Sequence, residues 1–262
     1  MSVYYKEKNG KLFQGDCLEI MKKLPTACFD MILCDLPYGT TACKWDIEIS
    51  IEQLWPEYIR LIKPNCAVVL TATQPFSSVL ISKHLKGYKH NWYWIKEKGT
   101  NFATAKYCPL RLVEEINVFT SNGEKVNYFP IMEKLDKPYK HVHRKKTDND
   151  ASHMNSKGLT ENGERAYKTY THKFPTNVLY FNRPNQNKGA KGHPTQKPVA
   201  LFEYLIKTYT NEGNIVLDNC IGSGTTAIAC KNLNRKWVGI EKEEKYCEIA
   251  KNRLLSHEPT KN

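Results

Sequence analysis

Between residues 215 and 241 the chain spells a strand, a glycine turn, a helix and a second strand, and few folds accommodate that order. The apolar run Ile215-Val216-Leu217 ends in Asp218, the turn Gly222-Ser223-Gly224 follows, helical spacing covers 225–233, and Trp237-Val238-Gly239-Ile240 ends in Glu241. Glycines let a backbone approach a ligand closely, a helix N-terminus offers free amide donors, and an acid after the second strand can accept two ribose hydroxyls. A βαβ crevice for a nucleotide-like ligand is therefore expected. Gly224-Thr225-Thr226 lacks the lysine of a phosphate-binding loop, which argues against an NTPase. Gly222, Gly224 and Ala227 do satisfy the dinucleotide spacing, with Glu241 at a suitable distance. The downstream half of a dinucleotide fold does not follow Glu241, so the rest of the sheet has to come from upstream. A tight strand-to-helix turn without a ligand is the plain alternative.

Upstream segments supply candidates for that sheet. Leu12-Phe13 reads as a short strand ending at Gly15-Asp16, and 17–24 has approximately helical apolar spacing. Phe29-Asp30-Met31-Ile32-Leu33-Cys34 and Ala67-Val68-Val69-Leu70 are runs of the kind buried in parallel sheets, with a crossover helix over 51–62 that Pro64 ends. Asn91-Trp92-Tyr93-Trp94-Ile95 and Glu115-Ile116-Asn117-Val118-Phe119 are further strands, rich in aromatic and β-branched residues. From 121 to 192 the pattern dissolves, then helices over 199–209 and 243–255 flank the βαβ unit. Alternating strands and helices on both sides of this gap predict an α/β sheet.

Composition narrows the class. With 40% hydrophobic and 25% charged residues in 262, the chain can form one large domain carrying an inserted lobe. No apolar run approaches the ~20 residues of a membrane span, and residues 1–8 lack the apolar stretch of a signal peptide, so a soluble, cytoplasmic protein is expected. The 9 cysteines include no Cys-x-x-Cys pair and read as reduced, mostly buried thiols, and no metal is expected. A net charge of +12 favours a polyanionic partner.

A second motif, Asp35-Leu36-Pro37-Tyr38-Gly39, follows directly on the strand ending at Cys34. It places a carboxylate at the carboxyl end of a parallel strand, where open α/β sheets bind ligands. Methylation of an exocyclic base amine needs such a group. That nitrogen's lone pair is delocalised into the ring, so hydrogen bonds must be accepted from its N–H groups as it becomes tetrahedral. Asp35 and the Leu36 or Pro37 carbonyl could accept them, Pro37 holds the turn, and Tyr38 offers a flat ring for an extruded base. The plain alternative is a strand-ending turn with an Asp cap.

Together the two motifs resemble those of DNA amino-methyltransferases of the permuted, β-type class, in which the catalytic tetrapeptide precedes the cofactor glycines. The family's tetrapeptide is Asp-Pro-Pro-Tyr or Ser-Pro-Pro-Tyr; here Leu36 replaces the first proline. Its cofactor signature is often Asp-Pro-Phe-x-Gly-x-Gly-Thr-Thr; here 218–226 departs from it at Asn219 and Cys220. The resemblance implies a mixed, mainly parallel seven-stranded sheet with helices on both faces. The implied cofactor is S-adenosylmethionine, held by Asp16, Cys17, Asp35, Asp218, Gly222, Gly224, Thr225, Thr226 and Glu241. His193-Pro194-Thr195-Gln196-Lys197-Pro198 looks like the family's lead into the helix beside that site, with Thr195 and Lys197 as donors to the methionine carboxylate and His193 beside them. Asp35, Pro37 and Tyr38 would be catalytic, acting on the N6 amine of adenine by base flipping, with N4 of cytosine the close rival. A vestigial nucleic-acid-binding module is the rival of another class, and RNA is not distinguished from DNA.

By position, 1–120 is then the catalytic half, 193–262 the cofactor half, and 121–192 a target-recognition insert that carries more than half of the net charge. Lys137, Lys140, Arg144, Lys145, Lys146, Lys168 and Lys173 could contact phosphates of double-stranded DNA, while base reading would need Asn, Gln or Arg side chains that cannot be singled out. Alternatively 145–150 is a solvated loop. His141-x-His143 lacks neighbouring ligands for a metal. The resemblance further implies a bacterial or phage setting within a restriction-modification or orphan modification system. A cognate restriction endonuclease and a homodimer are left open as partners.

Overall fold

The computed structural model describes residues 2–37, 49–142, 167–183 and 196–257. In chain order the elements are β1 (Ser2–Glu7), β2 (Gly10–Gln14), α1 (Cys17–Met21), β3 (Phe29–Asp35), α2 (Ile51–Leu61), β4 (Ile62–Ala72), α3 (Phe76–Lys83), β5 (Tyr88–Thr100), β6 (Arg111–Phe119), β7 (Glu133–Val142), β8 (Tyr167–Lys173), β9 (Val178–Tyr180), α4 (Val199–Tyr209), β10 (Ile215–Asp218), α5 (Thr225–Asn232), β11 (Lys236–Glu241) and α6 (Glu244–Ser256). They fall into two compact units, Met1–Phe129 with Asn177–Asn262, and Pro130–Thr176.

The larger unit is built on a 9-stranded mixed sheet in the order β1-β2-β11-β10-β3-β4-β6-β5-β9. Strands β2, β11, β10, β3 and β4 are parallel neighbours, and β6 and β5 follow antiparallel. These are the seven strands the resemblance implies. Two more extend the sheet: β1 folds back on β2, and β9 pairs parallel with β5. Both are strands at sheet edges: β1 interleaves exposed and half-buried residues, and the 3-residue β9 buries only Leu179, so neither shows the continuous apolar run of a central strand.

Side chains alternate across a strand, so each central strand serves two cores. Met31, Leu33, Ala67, Val69, Trp92, Trp94, Ile116 and Val118 pack under α4, α5 and α6. Ile32, Cys34, Val68, Leu70, Leu217 and Ile240 pack under α1, α2 and α3 on the other face. Helix α1 stops short of the expected 17–24 because Leu24 precedes Pro25, and a residue before proline is driven out of the α region. Strand β4 begins earlier than expected. Its register with β3 shifts between Phe29–Ile62 and Met31–Ala67, and Pro64 sits in that irregularity beside Asn65 at φ 61°.

The smaller unit contains an antiparallel ribbon of β7 and β8, within the stretch where no regular pattern was expected. Its exposed side chains give no inside-outside alternation to detect. Eight described cysteines are free thiols, five of them buried. No described helix is long and apolar enough to cross a membrane.

Candidate active site

Four acidic residues stand at the carboxyl ends of adjacent parallel strands: Asp16 just after β2, Glu241 ending β11, Asp218 ending β10 and Asp35 ending β3. The crossover β10-α5-β11 runs over one face and β3-α2-β4 over the other. The β10–β3 boundary is thus the topological switch point, the place where open α/β sheets bind ligands. Asp218 and Asp35 flank it.

Each acid is fixed by a local device. Asp16 caps α1, its Oδ1 accepting from the amides of Leu18 at 3.0 Å and Glu19 at 3.2 Å. Glu241 accepts from the Gly222 amide on Oε2 and the Glu243 amide on Oε1, both at 2.9 Å, while burial pushes its carboxyl above the usual range. The Lys242 amide adds a further hydrogen bond, and the carboxylate keeps acceptor capacity beyond these three. Asp218 is buried, accepts from the Cys220 amide at 3.1 Å and from the Thr226 hydroxyl, and is pushed up to about 7 by that burial. Gly224 caps α5 at φ 84°, and a Cβ there would meet the Ala250 Cβ at 3.1 Å. Only glycine makes that turn without strain.

Asp35 belongs to a chain of alternating charges. Its partner across β3–β4 is Thr71, whose hydroxyl donates to Oδ1. Its Oδ2 accepts from the Lys197 ammonium at 2.6 Å. Lys197 stands just before α4, is buried, and lies 3.5 Å from Glu114 Oε2. Glu114 Oε1 in turn accepts from Lys96 at 3.0 Å, with Arg183 at 3.9 Å. Burial opposes charge on Glu114, yet Lys197, Lys96 and Arg183 outweigh it and hold its carboxyl below the usual range. For Lys197 burial is likewise outweighed, by Asp35 and Glu114, and its ammonium is held above the usual range.

A family model of DNA methylases acting on N6 and N4 amines matches residues 29–252, which include both the Asp35 strand and the glycine turn. The chain belongs to this family. The methylase is 30% identical to the type II methyltransferase M.HpaI of Haemophilus parainfluenzae, over 94% of its own length and 74% of the relative's. It is 26% identical to M2.DpnII of Streptococcus pneumoniae, over 98% and 94%. Among solved structures it resembles the PvuII DNA methyltransferase, described as cytosine-N4-specific, with TM-score 0.63, 16% identity and coverage of 98% and 96%. The M1.HpyAVI–SAM complex matches with TM-score 0.57, 22% identity and coverage of 93% and 98%. At these identities the structural likeness concerns the fold.

In the methylase, Asp16, Cys17, Asp35, Asp218, Gly222, Gly224, Thr225, Thr226 and Glu241 all lie along one sheet edge. Lys197 joins Asp35, so its charge is already engaged by two carboxylates. Pro37 is half-buried. The three departures from the family pattern are absorbed by packing or hydrogen bonds. Leu36 enters the α2-side core, Asn219 Oδ1 accepts from the Tyr58 hydroxyl at 2.6 Å, and Asn219 Nδ2 donates to Cys220 Sγ at 3.5 Å. Lys140 and Lys173 are exposed on the ribbon, and Lys173 pairs with Glu133 at 2.9 Å. Tyr38, Arg144, Lys145, Lys146, His193, Thr195 and the Lys168 side chain lie outside the described residues. Thr71, Lys96 and Glu114 belong to neither motif. Their signal was phase: Glu114 shares the inward face of β6 with Ile116 and Val118, and a charge there needs a partner.

Proposed function

We propose that the methylase transfers a methyl group from S-adenosylmethionine to the N6 amine of adenine in double-stranded DNA at a specific sequence, with the target base flipped out of the helix. The observation that carries this reading is that Asp35 ends β3 while the neighbouring β10 leads into the glycine turn, on either side of the β10–β3 switch point. S-adenosylmethionine, when bound, supplies a methyl group on a positively charged sulfur. The residues fit it: Glu241 keeps acceptor capacity for a ribose hydroxyl, Gly222 and Gly224 let the backbone approach closely, and the α5 N-terminus supplies amides. Asp35 accepts a hydrogen bond from the target amine and the Leu36 or Pro37 carbonyl a second, which localises the nitrogen lone pair toward the methyl. The exposed lysines of the β7–β8 ribbon neutralise phosphates, so 121–192 serves as the target-recognition region.

Adenine is favoured by the aspartate at the first tetrapeptide position, a tendency of the family. N4 of cytosine is the second reading, favoured by the fold neighbour described as cytosine-N4-specific. The catalytic motif preceding the cofactor turn in chain order supports the permuted class, and type II relatives support a restriction-modification or orphan modification setting. A vestigial binding module is disfavoured because Leu36, Asn219 and Cys220 are accommodated without loss of the glycine turn or Glu241.

The deciding experiment is transfer of labelled methyl from S-adenosylmethionine to unmethylated DNA, followed by nucleoside chromatography. Label in N6-methyladenine is expected, and label in N4-methylcytosine would move the target to cytosine. Asp35→Asn should lower turnover at least about 10²-fold while cofactor binding persists. No label in DNA from a folded, cofactor-binding wild type would overturn the reading.

A further inference from the structure

Lys197 has two candidate roles, and they predict different measurements. As a ligand of the cofactor carboxylate it would need an uncommitted charge facing the glycine turn. The observed ammonium is instead buried between Asp35, at 2.6 Å, and Glu114, at 3.5 Å. A third carboxylate beside these two would meet like charge. Lys96, itself almost fully buried, closes the far end of the array by donating to Glu114 at 3.0 Å. A buried ionic array is a poor way to gain stability, since apolar residues of similar volume serve as well. Its justification lies in what it orients. Here one end is the carboxylate at the switch point, whose other oxygen accepts from Thr71.

Resting on the methyl-transfer reading above, we propose that Lys197, itself held by Glu114, is a positioning residue that fixes the rotamer of Asp35 for the target amine. The array offers no acceptor for the amine's proton through Lys197, which is fully protonated between two carboxylates. Glu114 and Lys96 act one step further back, by setting where the Lys197 ammonium sits.

The test compares full-length wild type, Lys197→Met, Lys197→Arg, Glu114→Gln and the Lys197→Met/Glu114→Gln double variant. Cofactor affinity is read by calorimetry, and kcat and DNA KM by label transfer. Lys197→Met is expected to lower kcat about 10²-fold with DNA KM and cofactor Kd within about threefold of wild type. Lys197→Arg, which keeps the charge, should recover kcat to within about tenfold of wild type. Glu114→Gln should lower kcat alone but add nothing in the Lys197→Met background, because it acts through the same ammonium. Cofactor Kd raised tenfold or more in Lys197→Met and Lys197→Arg, with kcat retained, would overturn the proposal in favour of a cofactor ligand. Additive losses in the double variant would remove Glu114 from it. If Lys197→Met does not fold, the Lys197→Arg and Glu114→Gln kcat values decide. Wild-type inactivity on DNA would instead overturn the underlying reading, and it is visible before any variant is made.

Discussion

At the scale of single residues, the site concentrates carboxylates whose surroundings differ sharply. Asp218 is buried under α5 and shifted up to about 7, whereas Asp16 is exposed and caps a helix. A folded pKa above the unfolded value means that the native state binds the extra proton between about 4 and 7. Stability therefore falls as pH rises through that window and levels off above it. Asp218→Asn keeps an acceptor for the Cys220 amide and an amide group for Thr226, so it should remove this dependence. Melting curves are expected to show the variant gaining on wild type as pH rises from 5 to 8 and no advantage near pH 4. A constant difference across the range would contradict buried-charge cost at Asp218. The motif acids could be found in the sequence because each ends an apolar strand run. Thr71, Lys96 and Glu114 could not be assigned, since nothing local links residues 71, 96 and 114 to residue 35.

At the scale of elements, the β7–β8 ribbon differs from every strand of the main sheet. Tyr139 stacks on Tyr170 across it, with ring centroids 5.4 Å apart, while Lys137 and Lys140 are exposed. With no buried apolar residue among the described part of 130–176, the ribbon contributes surface and charge more than core. If its lysines meet phosphates, the double variant Lys137→Ala/Lys140→Ala should flatten the slope of log affinity against log salt by up to about 1.8. Its melting temperature should stay unchanged, because both side chains are exposed. An unaltered salt slope would place the phosphate contacts elsewhere. Patterning missed this ribbon because period-2 alternation appears only where one face is buried. The main-sheet elements were visible for the opposite reason, with residues such as Met31 and Ile32 feeding separate cores.

At the scale of the whole molecule, the proposed cofactor edge is assembled from residues between 16 and 241, so a ligand there would tie β2, β11, β10 and β3 together. Saturating S-adenosylmethionine at 100 times its Kd should stabilise the fold by about 2.7 kcal/mol. For a chain of this size that is roughly 5–10 °C in Tm. Glu241→Gln should reduce the shift by weakening the ligand, and the absence of any shift in wild type would argue against a cofactor site on this edge. The α/β class, and the placing of the glycine turn, Asp35 and Glu241 at strand ends, were determined by the sequence alone, because strand runs, turns and helix starts depend on residues close together in the chain. The two added edge strands, the ribbon and the partners of Lys197 were decided only by tertiary structure. The order β3-β4-β6-β5 brings residues 35, 71, 114 and 96 onto neighbouring strands, and no local pattern encodes which strand lies beside which. A buried charge declares that it needs a partner, but only the assembled sheet says which one.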